Sequence, residues 1–189
     1  DQLDYLFAAI KRQGLYITID LYTVRLVTAA EIDEVDHDVW LNEFKALVAL
    51  SPSARANWRE FSRRLLTHVN PYTGLAWKDD PALFSICLLN ENNVPVVWNA
   101  SPATARLYRE RFPEWLRKQG RAVPAGDVES SQPWAEFLIN THQEMYRDCA
   151  SFIRSLGTKA LFTDANNRAN LPLALVRQEF DYADSHAYF

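Results

Sequence analysis

Apolar residues recur along the chain with two different periods, one typical of helices and one typical of strands. Near the start, four apolar residues lie three or four positions apart and Gly14 follows them, which predicts an amphipathic helix over residues 1–13. Residues 15–22 instead alternate Leu and Ile with polar or aromatic residues, the pattern of a half-buried strand. Residues 82–89 are almost continuously apolar, as in a strand that is buried on both faces of a parallel sheet.

Helical and strand patterns alternate over the rest of the chain. Ser51 and Ser101 each precede a proline, which is the arrangement of an N-cap followed by Pro at the first helical position. The predicted strands are residues 15–22, 82–90, 159–164 and 180–188. The predicted helices after the first are residues 42–50, 52–69, 102–119 with a break at Pro113, 133–156 and 171–178. Strands that alternate with helices indicate right-handed βαβ units and a parallel sheet, so the predicted fold class is α/β in a single domain.

Composition and charge limit the classes of ligand that this domain is expected to bind. The 189 residues carry 20 Lys and Arg against 24 Asp and Glu, a formal charge of -4, so no basic excess favours nucleic acid. No apolar run approaches the roughly 18 residues that span a bilayer, and no Gly-rich phosphate loop is present. We therefore expect a neutral substrate rather than nucleic acid, a membrane or a nucleotide. Cys87 and Cys149 are expected to be buried free thiols, because they lie in strand-like and helical runs.

Polar side chains gather where each predicted strand ends. Because the carboxyl ends of parallel strands meet at one edge of a sheet, these side chains are expected to line one polar site. The strand-end residues are Asp20 and Tyr22, Asn90 and Glu91, Asp164 and Asn166, and Asp184, His186 and Tyr188. Glu91 is the leading candidate for acid–base chemistry, although a glutamate after a strand is also commonly a solvated loop residue or a helix cap.

Two stretches carry a resemblance to a known family. Residues 70–83, NPYTGLAWKDDPAL, are followed by a strand that ends in Asn90 and Glu91, and residues 184–188 read DSHAY. These motifs resemble the retaining glycoside hydrolases of the family 5-like clan, of cellulase and mannanase type, which fold as (β/α)8 TIM barrels. The resemblance implies that residues 1–189 form part of such a barrel, about strands 3 to 6. It also implies a secreted or periplasmic protein, although no signal peptide is visible.

The resemblance implies roles for individual residues. In this clan an Asn-Glu pair at the end of strand 4 carries the general acid/base, which matches Asn90 and Glu91. A His and an aromatic residue at the end of strand 6 line the sugar site, which matches His186 and Tyr188. A general acid must hold a proton near neutral pH, and partial burial of its carboxyl favours this.

A β-linked poly- or oligosaccharide is the implied substrate, and we expect neither a metal nor another cofactor. Asp20 and Trp98 are predicted as further substrate contacts, Trp98 because an indole can stack on the apolar face of a sugar ring. Asn90 and Glu91 are adjacent, and pleating would place them on opposite faces of a strand. Their pairing therefore requires a bulge or a twist at the strand end.

The nucleophile of the clan is a Glu at the end of strand 7, and no Glu follows Glu179 in this chain. We therefore expect the nucleophile, with the remaining barrel segments, beyond residue 189. Asp20 and Asp164 are alternatives within the chain, but neither lies in a recognisable motif. Strands 3 to 6 alone would leave two open sheet edges, which favour aggregation.

Two other functions compete with hydrolysis. The first is non-catalytic carbohydrate binding, by a protein that keeps the polar cleft and lacks the nucleophile. The second is a lyase or aldolase, which would need a Schiff-base lysine at the end of a strand. Neither Lys78 nor Lys159 has that position in the predicted sheet.

Some of the candidate residues also have purely structural interpretations. Trp98 and Trp40 could cover the edge of the core instead of stacking on a sugar. His186 could be a buried structural histidine. The acidic run Asp36-His37-Asp38 is more typical of a solvated rim than of a metal site, because residues this close in the chain cannot readily converge on one ion.

Overall fold

The computed structural model describes residues 1–167 and 170–187, which form seven α-helices, four short 3₁₀ helices and a three-stranded parallel sheet. The strands are β1 (Ile17–Asp20), β2 (Leu83–Cys87) and β3 (Leu161–Thr163). The α-helices are α1 (Gln2–Arg12), α2 (Leu41–Leu50), α3 (Pro52–Thr67), α4 (Val94–Val97), α5 (Pro102–Lys118), α6 (Gln132–Ser155) and α7 (Leu171–Val176). The 3₁₀ helices are Ala29–Glu31, Trp77–Asp79, Val128–Ser130 and Arg177–Glu179.

The sheet has the order β1-β2-β3, and its register aligns the carboxyl ends of the strands. Asp20 lies opposite Cys87, and Cys87 lies opposite Thr163, so the chain leaves all three strands at the same edge. Three predicted strands are therefore confirmed, although each is shorter than the apolar pattern suggested.

The expected partial TIM barrel is wrong. The structure is 54% helical and its sheet has three strands and is not closed, so the fold class is α/β and no more specific than that. The parallel order agrees with the sequence pattern, but a barrel requires a sheet that curves back on itself.

The fourth predicted strand, residues 180–188, does not form within residues 180–187, and Tyr188 lies outside the described residues. The segment runs beside β3, where the amide of Asp181 donates to the carbonyl of Phe162 (3.0 Å) and that of His186 donates to the carbonyl of Asn166 (2.8 Å). The amide of Phe162, however, donates to the side-chain carboxylate of Asp181 at 2.7 Å. A side chain thus replaces the backbone carbonyl that would extend a strand ladder.

The helices follow the sequence prediction except at one proline and at the four-residue helix α4, which the sequence pattern did not predict. Ser51 caps α3 by accepting from the amide of Ala54 at 3.0 Å, as predicted. Pro113 does not break α5, which continues through it. Phe112 and Leu116 are fully buried on either side of the proline, and their packing compensates for the lost backbone hydrogen bond.

An aromatic cluster fills the core between α5 and α6. Its members are Trp98, Tyr108, Phe112, Trp115, Trp134 and Phe137, whose ring centroids lie 5.0–6.4 Å apart in the closest pairs. Cys87 and Cys149 are free and buried, as predicted. Within residues 1–167 and 170–187, no helix has both the length and the apolar character to cross a membrane.

The loop after α3 ties that helix to α1. Asn70 donates through Nδ2 to the backbone carbonyl of Asp4 at 2.9 Å. The carboxylate of Asp4 accepts from Trp77 Nε1 at 3.0 Å and contacts His68 Nε2 at 2.9 Å. Gly74 closes the loop with a φ of 73°, a conformation that favours glycine. Much of the stretch 70–83 that carries the family resemblance thus has a structural role.

Candidate functional site

The turn that follows β2 presents Glu91 at the carboxyl edge of the sheet. The amide of Asn90 donates to the carbonyl of Tyr22 at 2.9 Å, and the amide of Glu91 donates to Oδ1 of Asn166. Glu91 adopts a left-handed conformation with a φ of 50°. The strand has ended before this point, so the alternation of a pleated strand no longer separates Asn90 from Glu91. This departure from the strand is the feature that their pairing required.

Glu91 and His186 come together although 95 positions separate them. Oε1 of Glu91 lies 2.9 Å from Nδ1 of His186. The two side chains are 30% and 32% exposed, so a ligand can reach both. The backbone amide of His186 is held by Asn166, whose side chain also accepts from the amide of Glu91. One residue after β3 therefore fixes both members of the pair.

A buried polar network lies directly behind this pair. Oδ2 of Asp164 lies 2.8 Å from Nε2 of His142 and accepts from Nδ2 of Asn92 at 3.1 Å. Oδ1 of Asp164 accepts from the amide of Leu89 at 2.8 Å. Asp164, His142 and Asn92 are all fully buried, so they support the turn without touching solvent.

Asp20 occupies the carboxyl end of β1, beside this edge. Although the residue is exposed, desolvation of its carboxyl by the surrounding protein raises the pKa, and the carboxylates of Asp184 and Asp164 raise it further, against the opposing effects of Cys87 and His186. Asp184 and His186 therefore lie close enough to Asp20 to act on its carboxyl electrostatically. The structure places Asp20 with the other predicted site residues.

Lys45 is a buried charged residue that sequence reasoning missed. It lies on α2, is 4% exposed, and is the one buried lysine or arginine among the described residues. Burial lowers the pKa of its ammonium, although the carboxylates of Glu91 and Asp164 act in the opposite direction. The sequence feature that could have identified it is a lysine among apolar residues, in the segment FKALV of residues 44–48. His142 was also missed, because it lies among the apolar residues on the buried face of α6.

Trp98 belongs to the aromatic cluster of the core. It is 8% exposed, and its ring packs 5.0 Å from that of Trp134 and 6.4 Å from that of Tyr108. This burial favours the core interpretation of Trp98, and its predicted substrate contact stays a prediction. Trp40 is exposed and immediately precedes α2.

Asn90, Tyr188 and His37 are the remaining candidate residues. Oδ1 of Asn90 is buried and has no hydrogen-bond partner among the described residues. Tyr188, the other predicted sugar contact, lies outside them. His37 is exposed and contacts Asp36 and Glu43. No group of His, Cys, Asp and Glu side chains in the described part of the chain could hold a metal ion.

The arrangement as a whole suits proton transfer at a carboxyl group. Glu91 is accessible, it is oriented by an imidazole that can also carry a proton, and it is backed by a fixed polar network. Comparisons with protein-family models and with curated proteins find no match to this chain.

Proposed function

We propose that this protein is a glycoside hydrolase that cleaves a β-linked poly- or oligosaccharide with retention, with Glu91 as the general acid/base. The observation that carries the proposal is the 2.9 Å contact between Oε1 of Glu91 and Nδ1 of His186, whose side chains are 30% and 32% exposed at the edge of the sheet. The Asn-Glu pair and the later His match the residues that the sequence resemblance assigns to these roles.

The chemistry requires Glu91 to donate a proton in the first step and to accept one in the second. In the first step its carboxyl protonates the glycosidic oxygen as the bond to the anomeric carbon breaks. In the second step its carboxylate takes a proton from the water that releases the sugar. His186 orients the carboxyl, and we assign Asn90, which is partly exposed, to contact the sugar, as the resemblance implies.

The double displacement also needs an ionised carboxylate that attacks the anomeric carbon. Asp20 lies in no recognisable motif of the clan, so we do not assign this role to it. We assign Asp20 to substrate binding, and we place the nucleophile outside the described residues, as the resemblance implies.

The test compares hydrolysis of cello- and manno-oligosaccharides by the unmodified full-length protein, with any segments beyond residue 189, by Glu91→Gln and by a matched control. Glu144→Gln is the control, because Glu144 is an exposed glutamate on α6. We expect Glu91→Gln to lose about 100-fold or more of the turnover rate and Glu144→Gln to retain it. Equal turnover by the unmodified protein and Glu91→Gln would refute the role of Glu91.

The alternative function is carbohydrate binding without turnover. The observation that favours it is the exposure of Glu91 and His186 at one edge of the sheet, 30% and 32%, because accessible hydrogen-bonding groups can hold a sugar without cleaving it. Binding of these oligosaccharides by the unmodified protein with no release of shorter products would support this alternative over hydrolysis.

A further inference from the structure

Asp164 holds both ends of the turn that presents Glu91. Its Oδ1 accepts from the amide of Leu89, two residues before Glu91, at 2.8 Å. Its Oδ2 accepts from the side chain of Asn92, the residue after Glu91, at 3.1 Å. The short turn that includes Glu91 is therefore attached at both ends to one carboxylate at the end of the neighbouring strand.

The position of His142 completes this attachment. Nε2 of His142, on α6, lies 2.8 Å from the same Oδ2 of Asp164. All three side chains of the network are fully buried, so none of them can touch a substrate. A buried carboxylate costs desolvation, and hydrogen-bonded networks of this kind rigidify the structure around them. The network is therefore suited to fixing a geometry.

The backbone of Glu91 has an unusual conformation that its surroundings must hold in place. Its φ of 50° is unfavourable for a residue with a side chain, and such conformations persist where their surroundings hold them. The hydrogen bonds to Leu89 and Asn92, together with that from the amide of Glu91 to Asn166, supply these surroundings. They leave the Glu91 carboxyl facing His186.

We propose that Asp164 is a positioning residue, which, with Asn92 and His142, holds the Glu91 turn in the geometry that places the carboxyl against His186. This inference rests on the proposed role of Glu91 in hydrolysis. Asp164 acts through the turn and takes no part in the reaction itself.

A donor–acceptor exchange between two positions tests this directly. In Asp164→Asn, the amide oxygen can accept from Leu89 on one side, or from Asn92 and His142 on the other. The amide NH₂ group then faces the hydrogen-bond donors on the remaining side, which is unfavourable. The double variant Asp164→Asn/Asn92→Asp exchanges the amide and the carboxylate. It restores an acceptor for Leu89 and a carboxylate for His142, with no change in net charge.

We expect Asp164→Asn to lower kcat for oligosaccharide hydrolysis by about 100-fold with KM unchanged, because a small displacement of an acid/base group has effects of this size. The double variant is expected to regain most of the lost kcat. A double variant no more active than Asp164→Asn, or a change confined to KM, would overturn the proposal.

Amide hydrogen exchange at Leu89 and Glu91 separates this inference from the proposed function. Exchange is expected to be faster in Asp164→Asn and to return towards the original rate in the double variant. If the unmodified protein hydrolyses none of the oligosaccharides, the proposed function fails, while the exchange rates still test the positioning. Unchanged exchange in Asp164→Asn would overturn the positioning even in an active enzyme.

A milder variant covers the case in which Asp164→Asn does not fold. Asn92→Leu keeps the approximate volume of the side chain and removes one of the hydrogen bonds to Asp164. It is expected to lower kcat and to accelerate exchange at Leu89, each by less than Asp164→Asn would. Wild-type values for both quantities in a folded Asn92→Leu would contradict the proposed attachment.

Discussion

Replacing Asp4 with alanine tests how firmly the loop after α3 is tied to α1. The Asp4 carboxylate, 8% exposed, accepts from the Trp77 indole at 3.0 Å and contacts the His68 ring at 2.9 Å. Hydrogen bonds to a charged group contribute about 1.5–3 kcal/mol each, and we take the lower value because the carboxyl lies close to solvent. Asp4→Ala should therefore lower the free energy of unfolding by about 3 kcal/mol.

Urea unfolding at pH 7 measures this change, with Asp36→Ala as the control. Asp36 is fully solvent-exposed, so its replacement should change the free energy of unfolding by less than about 0.5 kcal/mol. For a slope of about 2 kcal/mol per molar urea, Asp4→Ala should lower the unfolding midpoint by about 1.5 M. Equal effects of the two substitutions would refute the view that the loop is tied to α1 through Asp4.

The pH dependence of stability gives a second readout at the same site. Burial opposes ionisation of Asp4, but the hydrogen bonds with Trp77 and His68 outweigh it and hold the pKa of the carboxyl below 3.8. The contribution of the ionised carboxyl is thus fully present above 3.8 and is lost as the pH falls through the lower value of the folded state. Asp4→Asn should lose less stability than the unmodified protein over this acidic range. Parallel stability curves for the two proteins would contradict the assignment.

Three further substitutions test individual residues by urea unfolding at neutral pH. Lys45→Met should raise stability, because burial of the ammonium outweighs the attraction of the nearby carboxylates and lowers its pKa; a lower unfolding midpoint would refute this. Trp98→Ala should cost about 3–5 kcal/mol by leaving a cavity in the aromatic cluster, whereas unchanged stability with weaker sugar binding would place Trp98 in the site. Pro113→Ala should stabilise α5 by up to about 3 kcal/mol by restoring a backbone donor, and a loss of stability would show that the proline is required.

The parts of the fold that sequence reasoning predicted correctly are those in which the pattern is local and periodic. The apolar run over residues 82–89 predicted β2, and the stripe along residues 133–156 predicted α6. The meeting of polar residues at one edge also followed, because parallel strands end together. In this way Glu91 and His186 were predicted to share a site, and the structure brings them together.

The parts that could not be predicted depend on contacts between distant residues. Residues 180–187 alternate like a strand, but Asp181 turns its carboxylate to the edge of β3 and the ladder does not extend. Trp98 follows a helix of only four residues, too short to show a period, and its burial depends on α5 and α6. His142 and Lys45 lie on helices, far in sequence from the strand ends that they approach.

The most direct test of the central claim is the leaving-group dependence of Glu91→Gln. Phenyl and dinitrophenyl β-glycosides of the same sugar differ in whether the departing oxygen needs a proton. If Glu91 is the general acid, the bond-cleavage rate for the phenyl glycoside should fall by about 100-fold or more, and that for the dinitrophenyl glycoside by less than about tenfold. A fall by the same factor for both glycosides, or no fall for either, would contradict the account.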